Sequence, residues 1–160
     1  MSHPRPSEAD AVVLAPATAR DVDVLEPLVG AYHTFEHIES DEQTRRVALS
    51  TLIADPGFGQ MWRIDAGAEC IGYIAITFGY TIEFGGRDAF IDEFFITEAH
   101  RGRGIGRVVL DRVVEYARHR QIRALHLEVA RDNSPAARLY EAVGFRGRDR
   151  YHLMTCDLAD

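Results

Sequence analysis

Lysine is absent: all 18 basic residues of the 160-residue chain are arginine. Without an ε-amine there is no Schiff-base catalysis through a side chain, and no P-loop, whose phosphate motif requires a lysine. Cysteine is scarce. Cys70 and Cys156 are the only two, with neither C-x-x-C spacing nor a disulfide framework, which points to a reducing cytoplasm. No apolar run approaches the roughly 18 residues a membrane span needs. The opening stretch MSHPRPSEAD has no apolar core and is not expected to act as a secretory signal, and residues 1–10 read as a disordered N-terminal arm. Residues 11–160 are expected to form a single domain, long enough to bury roughly two thirds of its unfolded surface. Hydrophobic content of 46% against 27% charged residues excludes a disordered chain.

What is present is unevenly spread. Residues 1–100 carry 6 Arg against 17 Asp and Glu, a balance of −11, whereas residues 101–160 carry 12 Arg against 8 acids, a balance of +4. An acidic half followed by a basic half suggests two different kinds of ligand.

Periodicity and punctuation give the elements. AVVLAPA (11–17) reads as a buried strand. Thr18 or Asp21 caps a helix through DVDVLEPLVGAYHTF, and Asp41 caps another through EQTRRVALSTLIA. QMWRIDA and CIGYIAITFGY read as strands around the turn GAE, with Trp62 in the core. FGGRD then turns into AFIDEFFIT, a strand by its β-branched and aromatic content. Ile105, Val108, Val109, Val113, Val114 and Ala117 recur at helical spacing. RALHLEVA alternates as a strand, with His126 on its surface or packed on the sheet. NSPAARLYEAVGF is a helix with Ser134 as cap, Pro135 in its first turn and Gly144 just past its end. FRGRDRYHLMTCDL closes the chain as one or two strands. The order β-α-α-β-β-β-α-β-α-β predicts an α/β fold with helices packed on a mixed sheet.

The segment HRGRGIGRVVL places three glycines and three arginines just before an apolar helix. Glycine lets backbone approach a ligand closely, and the unpaired N–H groups of a helix start attract anions. The spacing fails the dinucleotide fingerprint G-x-G-x-x-G, because Arg107 or Val109 stands in the final place. It fits R-x-x-G-x-G, from Arg101 to Gly106. Here the chain resembles the GNAT superfamily of acetyl-CoA-dependent N-acetyltransferases. IDEFFI, RGRGIG and NSPAARLYEAVGF occur in that family's order. The last matches N-x-x-A-x-x-L-Y-x-x-x-G-F at Asn133, Ala136, Leu139, Tyr140, Gly144 and Phe145. The resemblance covers nearly the whole chain and implies the GNAT fold, a mostly antiparallel central sheet flanked by helices.

It also implies the site. The co-substrate would be acetyl-CoA, its pyrophosphate wrapped by the backbone of Arg101, Gly102, Arg103, Gly104, Ile105 and Gly106. Phe95 and Ile96, on a strand that splays from its neighbour, would lie beside the pantetheine arm, with Asn133 and Ala136 also at the cofactor. Tyr140 corresponds to the family's general acid. The stretch IDEFFI is similar to that of diamine acetyltransferases, where a carboxylate assists amine deprotonation. The order of Asp92 and Glu93 is swapped relative to that subgroup, and Asp92 is preferred. Neighbours on a strand face opposite ways unless a bulge intervenes. His33, Glu36, Glu39 and Glu83 are the candidate acceptor contacts. Acetyl would pass directly to a primary amine in a ternary complex, the acid-rich first half favouring a small cationic amine. Polyamine, aminoglycoside, amino-acid derivative and protein N-terminus stay open. No metal is called for. The expected partners are that amine and a second copy in a homodimer, with neither nucleic acid nor membrane.

Two rivals accompany this reading. One is a non-catalytic acyl-CoA-sensing module. The other is a zinc hydrolase, because HTFEH (33–37) matches H-x-x-E-H, whose two histidines would share a helix face.

Overall fold

Local signals set most of the elements. The computed structural model describes Ala9 and residues 11–158, so the arm expected over 1–10 lies, apart from Ala9, outside the described residues. After β1 (Val13–Pro16), a 3-10 turn at Ala19–Asp21 leads into α1 (Val22–Phe35). Asp21 closes that turn by accepting from both the backbone N–H (2.7 Å) and the hydroxyl (2.8 Å) of Thr18. α2 (Glu42–Ala54) starts where Asp41 accepts the Thr44 N–H at 2.8 Å. β2 (Gly59–Ala66), β3 (Glu69–Thr81) and β4 (Gly86–Ile96) follow, then α3 (Ile105–His119), β5 (Ala124–His126) and α4 (Ser134–Val143). The chain divides into two compact units between Glu128 and Val129.

In the first unit the five strands lie in sequence order, antiparallel from β1 to β4, with β5 parallel to β4. Six consecutive β3 residues, Ile71 to Ile76, are buried, the signature of a strand covered on both faces. Tyr73 and Ala75 join Met61 and Phe95 in a cluster with Leu25 and Val29 of α1 and Leu49 of α2. Ile74 and Ile76, one residue out of step, lie on the opposite face. On α3, Ile105, Val109, Leu110, Val113 and Ala117 form its buried stripe. Trp62 is core as expected, its ring meeting Tyr116 of α3 edge-on at 4.8 Å.

Four expectations need correction. β1 is not a buried strand: it lies at the edge of the sheet, paired with β2 alone, with Val13 and Pro16 exposed and Leu14 and Ala15 half-buried. The strand read over RALHLEVA is only Ala124–His126, because its pairing with β4 ends at Phe90↔His126. Asn133, not Ser134, caps α4: its side chain accepts the Ala136 N–H at 3.3 Å, and Ser134 is already helical. No strand forms among the described residues of FRGRDRYHLMTCDL. Tyr151, Leu153 and Met154 are exposed there, and the backbone closes a local turn from the Tyr151 N–H to the Arg148 carbonyl. An alternating pattern suits a strand but supplies no ladder partner.

Candidate active site

Gly104 is the N-cap of α3 at φ 82°, and Gly102 precedes it at φ 74°. Both lie in the left-handed region, where a side chain is strained, and a Cβ on Gly102 would meet only open space. Ile105, 1% exposed, plugs the helix start into the core while Arg101 to Gly104 stay exposed. The N–H groups of Gly104, Ile105, Gly106 and Arg107 therefore stand at a helix start with no intrahelical acceptor. This is backbone suited to a pyrophosphate. The Arg101 side chain turns the other way: its Nε donates to the Ile96 carbonyl (2.7 Å), and its guanidinium lies 5.1 and 5.3 Å from the rings of Phe35 and Phe95.

β4 fits the second requirement of the implied co-substrate. Its pairing with β5 covers only Asp88 to Phe90, so among the described residues the same edge from Ile91 to Ile96 has no strand beside it. An open row of N–H and C=O groups can pair with an extended amide-bearing ligand. Phe95 is 8% exposed, its ring committed to the core. Phe95 would therefore meet such a ligand through its backbone.

The two neighbouring carboxylates are brought together by a bulge. Ala75 pairs with Glu93 and Ile76 with Ile91, which leaves Asp92 as the extra residue. Glu93 is held at both oxygens. Oε1 lies 2.7 Å from His33 Nε2, and Oε2 accepts the Tyr73 hydroxyl at 2.7 Å. His33 Nδ1 in turn lies 2.6 Å from Ser40 Oγ, in the loop between α1 and α2. Burial, and then the Glu93 charge, push the Tyr73 phenol far above its usual range, so it stays a donor. Asp92 is exposed as a residue and has no hydrogen-bond partner among the described residues. Its carboxyl is nonetheless raised above the usual carboxylate range, first by desolvation and then by the Glu93 charge, with His33 opposing and Glu128 adding.

Of the expected acceptor contacts, the structure brings His33 to the carboxylates. Glu36 caps the C-terminus of α1, and Glu39 is exposed on the loop beyond. Glu83 sits in the β3–β4 turn, about 20 Å from Glu93 along the strand. His126 lies on β5, 3.3 Å from the Asp88 carboxylate. The zinc geometry read in HTFEH is not there. α1 ends at Phe35 and His37 takes φ 57°, so His33 and His37 share no helix face. Both nitrogens of His33 are engaged, and among the described residues no group of three His, Cys, Asp or Glu side chains is placed to hold a metal.

The second unit holds the remaining candidates. Asn133 and Ala136 share the cap bond that starts α4. Tyr140, one turn from the end of that helix, packs its ring on Phe145 at 5.9 Å, and Gly144 ends the helix at φ 118°. Sequence reasoning missed Tyr73, Ser40 and Arg45 altogether. The one local hint was a tyrosine hydroxyl inside the otherwise apolar run CIGYIAI.

Comparison with known proteins supplies the context. The model of the acetyltransferase (GNAT) family matches residues 25–145. Streptothricin acetyltransferase of Streptomyces lavendulae is 26% identical over 148 residues, covering 78% of this chain and 76% of the relative. Thialysine N-epsilon-acetyltransferase of Bos taurus is 31% identical over 96 residues, 60% of this chain and 52% of the relative. An integron cassette protein from the mobile metagenome of Cole Harbour salt marsh superposes with a TM-score of 0.82. It is 28% identical, and the match covers 95% of this chain and 93% of that one. The family match begins inside α1 and ends just past α4, so it spans the glycine loop, the open strand edge and both carboxylates. The chain belongs to the GNAT acetyltransferase family and is an acetyl-CoA-dependent acyltransferase.

Proposed function

We propose that the acceptor is a small cationic primary amine, acetylated by direct attack in a ternary complex with Asp92 as its proton acceptor. The observation that carries this reading is the bulge in β4. It leaves one carboxylate, Glu93, tied down by two donors, and beside it another, Asp92, without a hydrogen-bond partner among the described residues and raised in pKa. A fixed anion attracts an ammonium group, and a carboxylate of raised pKa takes a proton more effectively than an ordinary one.

Acetyl-CoA supplies an activated thioester, and the residues present fit it. Backbone N–H groups of residues 102–106 would hold the pyrophosphate, and the unpaired edge of β4 at Phe95 and Ile96 would hold the pantetheine amides. The reacting ammonium first loses one proton to solvent; as the C–N bond then forms and the C–S bond breaks, the second proton goes from nitrogen to Asp92, directly or through one water. By the resemblance of its motif, the Tyr140 hydroxyl would return a proton to the departing thiolate, as a phenol can. Two relatives are named for streptothricin and for the ε-amine of thialysine, which supports an amine acceptor. Cytoplasmic location and a homodimer belong to the same reading, the first supported by two free cysteines.

The test is a screen of amines for release of the CoA thiol. Diamines and polyamines are expected to turn over with kcat/KM at least ~10-fold above neutral amines of similar size. Equal turnover of the two groups removes the cationic preference. Acetyl-CoA binding without thiol release from any amine, protein N-termini included, returns the chain to a sensing role.

A further inference from the structure

The polar contacts around Glu93 extend well past it, in one direction. On α2, Arg45 directs Nε (2.8 Å) and Nη2 (2.7 Å) at one oxygen of Glu26, a carboxylate on α1 whose side chain is 8% exposed. The third guanidinium nitrogen, Nη1, donates to the backbone carbonyl of Ser40 (2.9 Å) and to its hydroxyl oxygen (3.2 Å). Ser40 Oγ meets His33 Nδ1, and His33 Nε2 meets Glu93. Room for this arrangement is made by Gly30, in the middle of α1. A Cβ there would come within 3.3 Å of Nη2 and 3.4 Å of Cζ, so the guanidinium lies against bare helix backbone. Glycine inside a helix is unfavourable, and here its missing side chain admits Arg45.

We infer that Arg45 and Ser40 are positioning residues that fix the direction of the protons in the His33–Glu93 pair. The inference rests on the proposed role of the Asp92–Glu93 pair. Arginine only donates. Arg45 donates into the Ser40 oxygen, and among the described residues His33 Nδ1 is the one acceptor within reach of the Ser40 hydroxyl, so the hydroxyl turns its own hydrogen there. In this orientation the imidazole accepts at Nδ1 and donates from Nε2 to Glu93 Oε1. This tautomer is assigned from the donor and acceptor pattern. Tyr73 donates to the other oxygen. Every donor in the chain therefore points at Glu93, which is held as an acceptor-only anion that orients the acceptor's ammonium and leaves proton removal to Asp92. The groups facing His33 are Glu93 and Asp92 on β4, Tyr32 on α1 and Ser40, with Tyr73 behind Glu93 and Arg45 behind Ser40. The network also ties the acid-bearing loop between α1 and α2 to the sheet.

The experiment uses the full chain labelled with 15N-histidine, with the His33 resonances assigned by their loss in His33→Gln. Long-range 1H–15N spectra at neutral pH are expected to show Nε2 protonated and Nδ1 bare. Ser40→Ala should give an averaged or doubly protonated ring, and Ser40→Thr should restore the parent pattern. In kinetics, Ser40→Ala should lower kcat/KM for a diamine about tenfold, the size of one lost hydrogen bond, again with rescue by threonine. Ser40 lies in a loop and contributes no core packing, so its variants keep the fold where Arg45→Met would strand Glu26. A parent ring carrying hydrogen on Nδ1, or a Ser40→Ala spectrum like the parent's, overturns the inference. So does an altered tautomer with unchanged kcat/KM. Because the spectra need no turnover, failure of the amine screen would leave this result standing and remove only the acceptor assignment.

Discussion

Asp92 and Glu93 differ by one methylene and one residue number, yet their surroundings separate their chemistry. Two donors hold Glu93, whereas Asp92 meets desolvation and its neighbour's charge. In the proposed mechanism Asp92 acts in its deprotonated form, so kcat/KM should rise with pH through its raised pKa. Asp92→Asn should abolish that acid limb and lower kcat by about 10²-fold, leaving only the alkaline rise from deprotonation of the amine itself. A pH–rate profile with the acid limb intact in the variant would take Asp92 out of proton transfer. Tyr140 is tested separately. Tyr140→Phe should cost kcat roughly 10²-fold while acetyl-CoA affinity changes little; a kcat within about twofold of the parent assigns the ring to packing on Phe145.

At the scale of elements, the proposed cofactor loop depends on α3 being anchored at its first residue. Ile105 and Val109 are buried, so the exposed turn before them is held at a fixed helix end. Gly104→Val would place a β-branched side chain at φ 82°. Titration calorimetry should show acetyl-CoA weakened at least ~10-fold, about 1.4 kcal/mol, with an unchanged circular dichroism spectrum. Unchanged affinity would move the pyrophosphate site elsewhere. α1 shows the same dependence on packing. It runs through Pro27, which removes one helical hydrogen bond, because Leu25 and Val29 on either side are buried.

For the whole molecule, charge is the property that acts at a distance. The −11 balance of residues 1–100 is concentrated in part on the α1–α2 loop and β4, the elements that meet at Glu93. Encounter with a cationic acceptor should therefore be steered, and steering is screened over about 10 Å at 0.1 M salt. Run at low and high salt, the amine screen should lose kcat/KM for the cations and not for the neutral amines. A flat salt response for the cations would confine these acids to solubility.

Helices and their ends were legible in the sequence because caps and periodicity are local. Asp41 starts α2 and Gly144 ends α4 where the residues said they would. The backbone of the glycine loop was legible too, since its left-handed residues are written directly as Gly102 and Gly104. The terminal strands were not, because alternation cannot supply a partner. Nor was the Asp92 bulge, which exists only as a register shift against β3. The chain from Arg45 through Ser40, His33 and Glu93 to Tyr73 joins four elements and a loop across up to 60 residues. No spacing rule reaches that far. The sequence determined the family, the elements and the residue types able to bind a phosphate or move a proton. Tertiary structure alone decided which carboxylate is tied down and which stays open, because that depends on side chains meeting across the sheet.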